Sequence, residues 1–163
     1  MNRFWKAVLL TTLVAGTLDI IAAHVHQAII QGQFPTKIFY AIAGGALGLE
    51  RSLNGGAPAF ILGVLIHYFI SFSFTLLFFK IFPTITKVSA NRFVNGAVYA
   101  VFVWITMTFI VLPLTALPDR PLSWNIHQVA GIFVLMGVFG IPISVMANNH
   151  YRSKSFSSQL VEN

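Results

Sequence analysis

Apolar positions along the chain fall into four long runs separated by short polar breaks. The runs extend from about Trp5 to Ile30, Ala57 to Phe79, Phe93 to Leu112 and Trp124 to Ala147. A helix needs about 20 apolar residues to cross a hydrocarbon layer about 30 Å thick. In that layer the backbone must satisfy its own hydrogen bonds, which favours helices over open strands. The pattern therefore predicts an all-α polytopic membrane protein with four transmembrane helices. Trp5 and Trp124 stand where interfacial aromatics are expected, and Lys80 and Arg92 close the ends of spans two and three across a short loop.

Residues 31 to 56 form the longest connection. Pro35 is placed as a first-turn proline, and the run Ile38-Phe39-Tyr40-Ala41-Ile42-Ala43 is apolar but too short to cross. Gly44, Gly45 and Gly48 loosen it, and Glu50-Arg51 returns it to water. The segment reads as a short interfacial helix on the outer face or a shallow re-entrant hairpin between the first two spans. It either caps the bundle as a linker or serves as a lid over an outward-facing cavity. After the third span, Pro113, Pro118 and Pro121 stop the helix, and Asp119-Arg120 reads as a solvated turn. Residues 1–149 thus form one four-span membrane domain. Residues 150–163 read as a short, polar, disordered tail. No internal repeat is evident.

The amino end resembles a signal peptide in layout, basic from Met1 to Lys6, apolar from Ala7 to Ala15, with small residues at Ala15 and Gly16. The apolar pattern continues through Leu18, Ile20, Ile21, Ala22 and Ala23, so the segment is long enough to span and is read as the first helix.

Composition sharpens this picture. Of 163 residues 56% are hydrophobic and 9% charged, where a soluble domain carries about 25% charged residues. Too few charges remain to coat a water-facing surface, and 16 phenylalanines need cover. The absence of cysteine excludes a disulfide scaffold and a zinc-thiolate site. The net charge of +6 does not read as a nucleic-acid footprint, because the cations sit singly at the ends of apolar runs. Seven of the ten Lys and Arg residues lie at the amino end, in the loop between spans two and three, or in the tail; only Lys37, Arg51 and Arg120 lie on the other side. Both termini are therefore expected in the cytoplasm.

Polar side chains inside spans are costly in lipid and mark packing or function. Asp19 is the one acid within an apolar run, about 21 Å along the helix from Trp5. His26, about 700° of helical rotation further on, projects from nearly the same face, together with Thr12; His24 points elsewhere. The second span carries Ala59, Gly63, His67, Ser71 and Thr75 at four-residue spacing, small or polar residues that let helix backbones approach. His67 falls near mid-membrane and His127 one turn inside the last span. Gly137, Gly140 and Ser144 offer a close-packing face and a surface for a homo-oligomer, with Pro142 as a kink. In the third span Gly96 and Ala100 form a packing stripe, and Thr106 is a hydroxyl bonded back to its own helix.

Asp19, His26, His67 and His127 admit three readings: hydrogen bonds that pack helices, a proton or solute pathway, or a divalent metal site. No HxxxH, ExxH or HExxH spacing puts two ligands on one face, so no metal or other cofactor is expected. Nor is an enzyme, since no nucleophile elbow, phosphate loop or paired-carboxylate motif is present.

The stretch from Gly63 through His127 resembles small bacterial inner-membrane proteins of the YagU type. The matching features are His67 in a Phe/Ser-rich span ending at Phe82-Pro83, the small-residue third span, its exit Val111-Leu112-Pro113-Leu114-Thr115-Ala116-Leu117-Pro118, and His127 near the start of the last span. The segment from Gly32 to Gly56 does not share the match. The resemblance implies an integral inner-membrane protein without an established biochemical activity, with a suggested link to acid stress. The functional expectation is a bundle that passes or senses protons or a small solute, with Asp19 as charge carrier, His67 as its partner, and His26 and His127 at the entrance. The competing expectation is a structural or accessory subunit whose polar residues only orient helices.

Overall fold

The computed structural model describes residues 2–117 and 126–159, with side chains throughout these ranges except at 127, 128 and 154–159. Pro118, Asp119, Arg120, Pro121 and Trp124 lie outside the described residues, and the His127 side chain is likewise outside them. Among the described residues the protein is helical, without strands. Four helical stretches are long and apolar enough to cross a membrane: Arg3–Gln31, Gly56–Val88, Arg92–Leu114 and Val129–Ser153. In chain order the α-helices are α1 (Arg3–Gln31), α2 (Ile38–Leu47), α3 (Leu49–Asn54), α4 (Gly56–Val88), α5 (Arg92–Thr106), α6 (Ile126–Leu135) and α7 (Ile141–Gln159). The third span continues from α5 through a π-helical turn, Met107–Val111, and the fourth joins α6 to α7 through another, Met136–Gly140.

Local chemistry sets the ends. Asn2 caps α1 by accepting from the Phe4 amide, and Gly32 ends it at φ 68°, a left-handed conformation that glycine adopts without penalty. Asn91 caps α5 through the Phe93 and Val94 amides, while the Asn95 side chain donates to the Ser89 carbonyl. The turn between spans two and three is consequently only residues 89–91, because α4 runs nine residues past the expected end at Phe79 and places Lys80 and Lys87 on the helix. Pro58 falls in the first turn of α4, where its missing N–H is harmless. Pro35 lies outside α2, which starts at Ile38.

Each π-turn has a proline two residues after it, Pro113 and Pro142. A proline cannot donate to the carbonyl four residues back, and its ring crowds that carbonyl. The preceding turn widens, and Leu112 and Ile141 instead donate to carbonyls five residues back, those of Met107 and Met136. The distortion expected at Pro142 thus takes the form of an inserted residue in the turn before it.

Span one packs against spans two and four, and span four also against span three; spans two and three meet over a narrow contact. That contact lies near their connecting turn, where Phe78 and Tyr99 have ring centroids 4.6 Å apart and the Tyr99 hydroxyl donates to the Phe74 carbonyl at 2.6 Å. Dense packing fills this end of the bundle: Val8, Phe78, Phe79, Tyr99, Ile143 and Ala147 are all buried in one cluster. The start of α1 and the middle of α7 meet at this end, with the rings of Phe4 and His150 6.0 Å apart. The spans are held together by close backbone approaches. A Cβ on Gly96 would stand 2.7 Å from the Gly140 carbonyl oxygen, and one on Gly140 would overlap the Gly96 carbonyl. Gly140 and the fully buried Ser144 are therefore spent inside the subunit, not on an oligomer face, and Gly137 meets nothing within 4 Å. Leu13, Ile21, Leu65, Phe69, Val98 and Phe133 are each more than half exposed, an apolar exterior suited to lipid.

Of the tail expected to be disordered from His150, residues 150–159 instead continue α7, and residues 160–163 lie outside the described residues. Tyr151 belongs to the packed end, stacked on Phe82 at 5.4 Å with its hydroxyl donating to the Phe79 carbonyl at 2.7 Å. Tyr151→Phe removes that bond while keeping the stack, so thermal unfolding in detergent is expected to show a loss of about 1 kcal/mol. No change would mean that the Tyr151–Phe79 hydrogen bond adds nothing measurable to the fold.

Candidate functional site

On the side of the bundle away from the turn at residues 89–91, spans two and three diverge, and the wedge between them holds a cavity of about 590 Å³. All four spans contribute to its wall, for example Asp19 of α1, His67 of α4, Trp104 of α5 and Leu135 of α6. Both π-turns border it, through Met107 and Val111 on one and Phe139 on the other. Helix α2 lies along the N-terminal part of α4 and lines the same space with Ile38, Ala41 and Ile42. At about 15 Å, α2 is too short to cross the membrane.

Glycine contacts fix α2 there. The Phe39 backbone sits directly on Gly63, so close that a Cβ there would overlap the Phe39 carbonyl. Gly63 is therefore a packing residue, as its place in the four-residue stripe predicts, but its partner is α2 and not another span. A Cβ on Gly44 would meet Leu117 at 3.1 Å and the Ser52 hydroxyl at 3.2 Å. The Ala116 amide donates to the Gly45 carbonyl at 2.9 Å, tying α2 to the exit of span three. His24, expected to point away from Asp19, bonds the Ile20 carbonyl through Nδ1 and lies between the rings of Phe34 and Phe39.

The whole stripe Ala59, Gly63, His67, Ser71 and Thr75 is buried. His67 Nε2 is 2.8 Å from the Gly16 carbonyl oxygen, a bond between α4 and α1. A carbonyl only accepts, so Nε2 carries the proton of this bond. Ser71 packs on Gly16, whose Cβ would stand 3.1 Å from its hydroxyl oxygen, and Thr17 bonds the Tyr68 hydroxyl at 2.8 Å.

Asp19 is half-buried and lies within electrostatic reach of His67. It also lines a second cavity, of about 480 Å³, between α1 and spans three and four. His26 and Gly131 line that second space, and His26 Nε2 is buried without a hydrogen-bond partner. The structure thus places Asp19 with His67 on one cavity and with His26 on the other. Among the described residues no group of three or more His, Cys, Asp or Glu could hold a metal ion. Five residues, Asp19, Ala23, Gln27, Trp104 and Leu135, line both cavities. Gln27 and Trp104 were not singled out by the sequence. Gln27 lies eight residues after Asp19, a spacing that could have found it; Trp104 sits in a span whose other positions read as packing.

No family model, no curated protein and no solved structure matches this chain.

Proposed function

We propose that this multi-pass membrane protein handles protons in the space between its spans, with Asp19 as the charge carrier and His67 as its partner. The observation that carries this reading is the position of Asp19 on the wall common to two cavities, neither of which is lined by Lys or Arg among the described residues. A carboxylate placed inside a membrane bundle is costly unless neutralised, and exchange of a proton neutralises it reversibly. His26, on the second cavity, is the entrance residue in this reading, and His127 its counterpart on α6. In this reading the protein belongs to a bacterial inner membrane with both termini in the cytoplasm, an orientation supported by the grouping of Arg3, Lys6, Lys80, Lys87, Arg92, Arg152 and Lys154. The likeness to YagU-type proteins of the inner membrane agrees with that location.

A second reading, a structural subunit, has one observation in its favour: the His67–Gly16 bond joins two helices. Proton flux into liposomes under an imposed pH gradient separates the two. The wild-type protein is expected to carry flux above empty liposomes, and Asp19→Asn to remove at least 90% of it at unchanged melting temperature, an effect of about 1.4 kcal/mol or more. Equal flux in both, or none above empty liposomes in either, would overturn the proton reading.

A further inference from the structure

We propose that the central cavity binds a small apolar monovalent cation, such as an aryl or alkyl ammonium, with Asp19 as its counter-charge. The inference rests on the reading of Asp19 as the working charge of the cavity and adds the class of ligand. The volume of about 590 Å³ suits a ligand of several rings or branches, far larger than a bare ion or a proton relay needs. Most of the wall is aliphatic or aromatic, and the polar groups on it are few: Asp19, Gln27, His67, Ser71 and Thr115. That is the composition of a site that buries an apolar body and fixes its orientation at one point.

The sign of the charge decides the class. Among the described residues Asp19 is the sole acid lining either cavity, and no Lys or Arg lines them. His67 is, among the same residues, the charged neighbour that acts on its carboxylate. An anion entering this space would meet a carboxylate in low dielectric, and a neutral molecule would leave it with His67 alone in electrostatic reach; a cation adds a full counter-charge. Trp104, Phe74 and Phe139 place aromatic rings on the same wall, surfaces that attract a cation through the ring quadrupole and an apolar body through burial.

A quaternary ammonium and a proton then compete for one carboxylate. When the acid form binds the cation, the Asp19 O–H bond breaks, the proton leaves to water and an ion pair replaces it. The titratable groups that share the cavities with Asp19 are His67 on α4, with Nε2 committed to Gly16, and His26 on α1 itself; His24 on α1 points away, onto the Ile20 carbonyl. Tyr99 on α5 donates to the Phe74 carbonyl, Tyr68 on α4 bonds Thr17, and Tyr40 on α2 lies near the ring of Phe60. Only Asp19 is negative when deprotonated near neutrality. Binding is therefore expected to strengthen with rising pH, about tenfold per unit while the carboxyl is protonated, and to level off once it is ionised.

The test is equilibrium dialysis of radiolabelled phenyltrimethylammonium against the full chain in lipid nanodiscs, with empty nanodiscs as blank. Its neutral isostere tert-butylbenzene has the same shape without the charge. The expected result is saturable binding that rises with pH, is weakened at least tenfold by Asp19→Asn, is retained by Asp19→Glu, and is not displaced by the isostere. Melting temperature checks that each variant is folded. The inference is overturned if the cation binds no better than to empty nanodiscs, if Asp19→Asn binds it equally well, or if the neutral isostere displaces it as effectively. Flux and binding fail separately: proton flux without cation binding leaves the proton reading and removes this one, whereas cation binding without flux does the reverse.

Discussion

Replacing Gly63 with leucine is expected to unseat α2 from the bundle and destabilise the protein by about 3 kcal/mol, the upper range for overpacking a tight contact. The cause is backbone against backbone: the Phe39 carbonyl occupies the place where a Cβ would project from Gly63, and a peptide group cannot swing aside as the end of a flexible side chain can. Helix α2 has nowhere to retreat, being held on its other side by the Ala116–Gly45 hydrogen bond and the packing of Gly44 on Leu117 and Ser52. Displacing α2 also opens the central cavity, which Ile38, Ala41 and Ile42 line. The chain contains no cysteine, so Ile42→Cys introduces a single thiol. A water-soluble maleimide is expected to label it slowly when Gly63 is present and quickly in the Gly63→Leu background, alongside a lowered melting temperature. Unchanged labelling and unchanged melting would show that α2 does not depend on this contact.

The second large effect is expected at the crossing of spans three and four. Gly140→Ala adds one methyl group into the Gly96 carbonyl and within 2.8 Å of the Ala100 Cβ, and is expected to cost about 2–3 kcal/mol. Gly137→Ala makes the same chemical change one turn away, where nothing lies within 4 Å. It is expected to be neutral or slightly stabilising, because alanine favours a helix over glycine. Thermal unfolding of the two variants in the same detergent measures the difference directly. Equal melting temperatures would mean that spans three and four do not cross at Gly96 and Gly140. The contrast also bears on function, since Phe139 beside this crossing lines the central cavity and the π-turn Met136–Gly140 sets its direction.

Several features of the site were legible one residue at a time. The spacing of Ala59, Gly63, His67, Ser71 and Thr75 marked a packed face, and all five are buried. Thr106 does bond back to its own helix, to the Phe102 carbonyl at 2.8 Å. Asp19 stood out because an acid in an apolar run is rare. Its surroundings did not, because the residues that share its two cavities come from other helices and are ordinary in sequence, such as Trp104 and Leu135. Gly137, Gly140 and Ser144 looked equivalent along the chain, yet one faces open space and two are buried. Small residues permit a close approach from any direction, and the sequence does not say from which the neighbour comes.

The chain by itself determined the number of spans, their approximate limits and the short helix between the first two. Transfer into hydrocarbon is a local property, summed over about 20 consecutive residues, and needs no knowledge of neighbours. The tertiary structure alone decided which faces meet, where α2 rests, and that spans two and three part to leave a cavity. These spans are apolar on nearly every side, so the helical periodicity that separates core from surface in water is muted. Packing geometry, two proline-driven π-turns and a few backbone-to-glycine contacts take over its role, and each depends on residues far apart in the sequence.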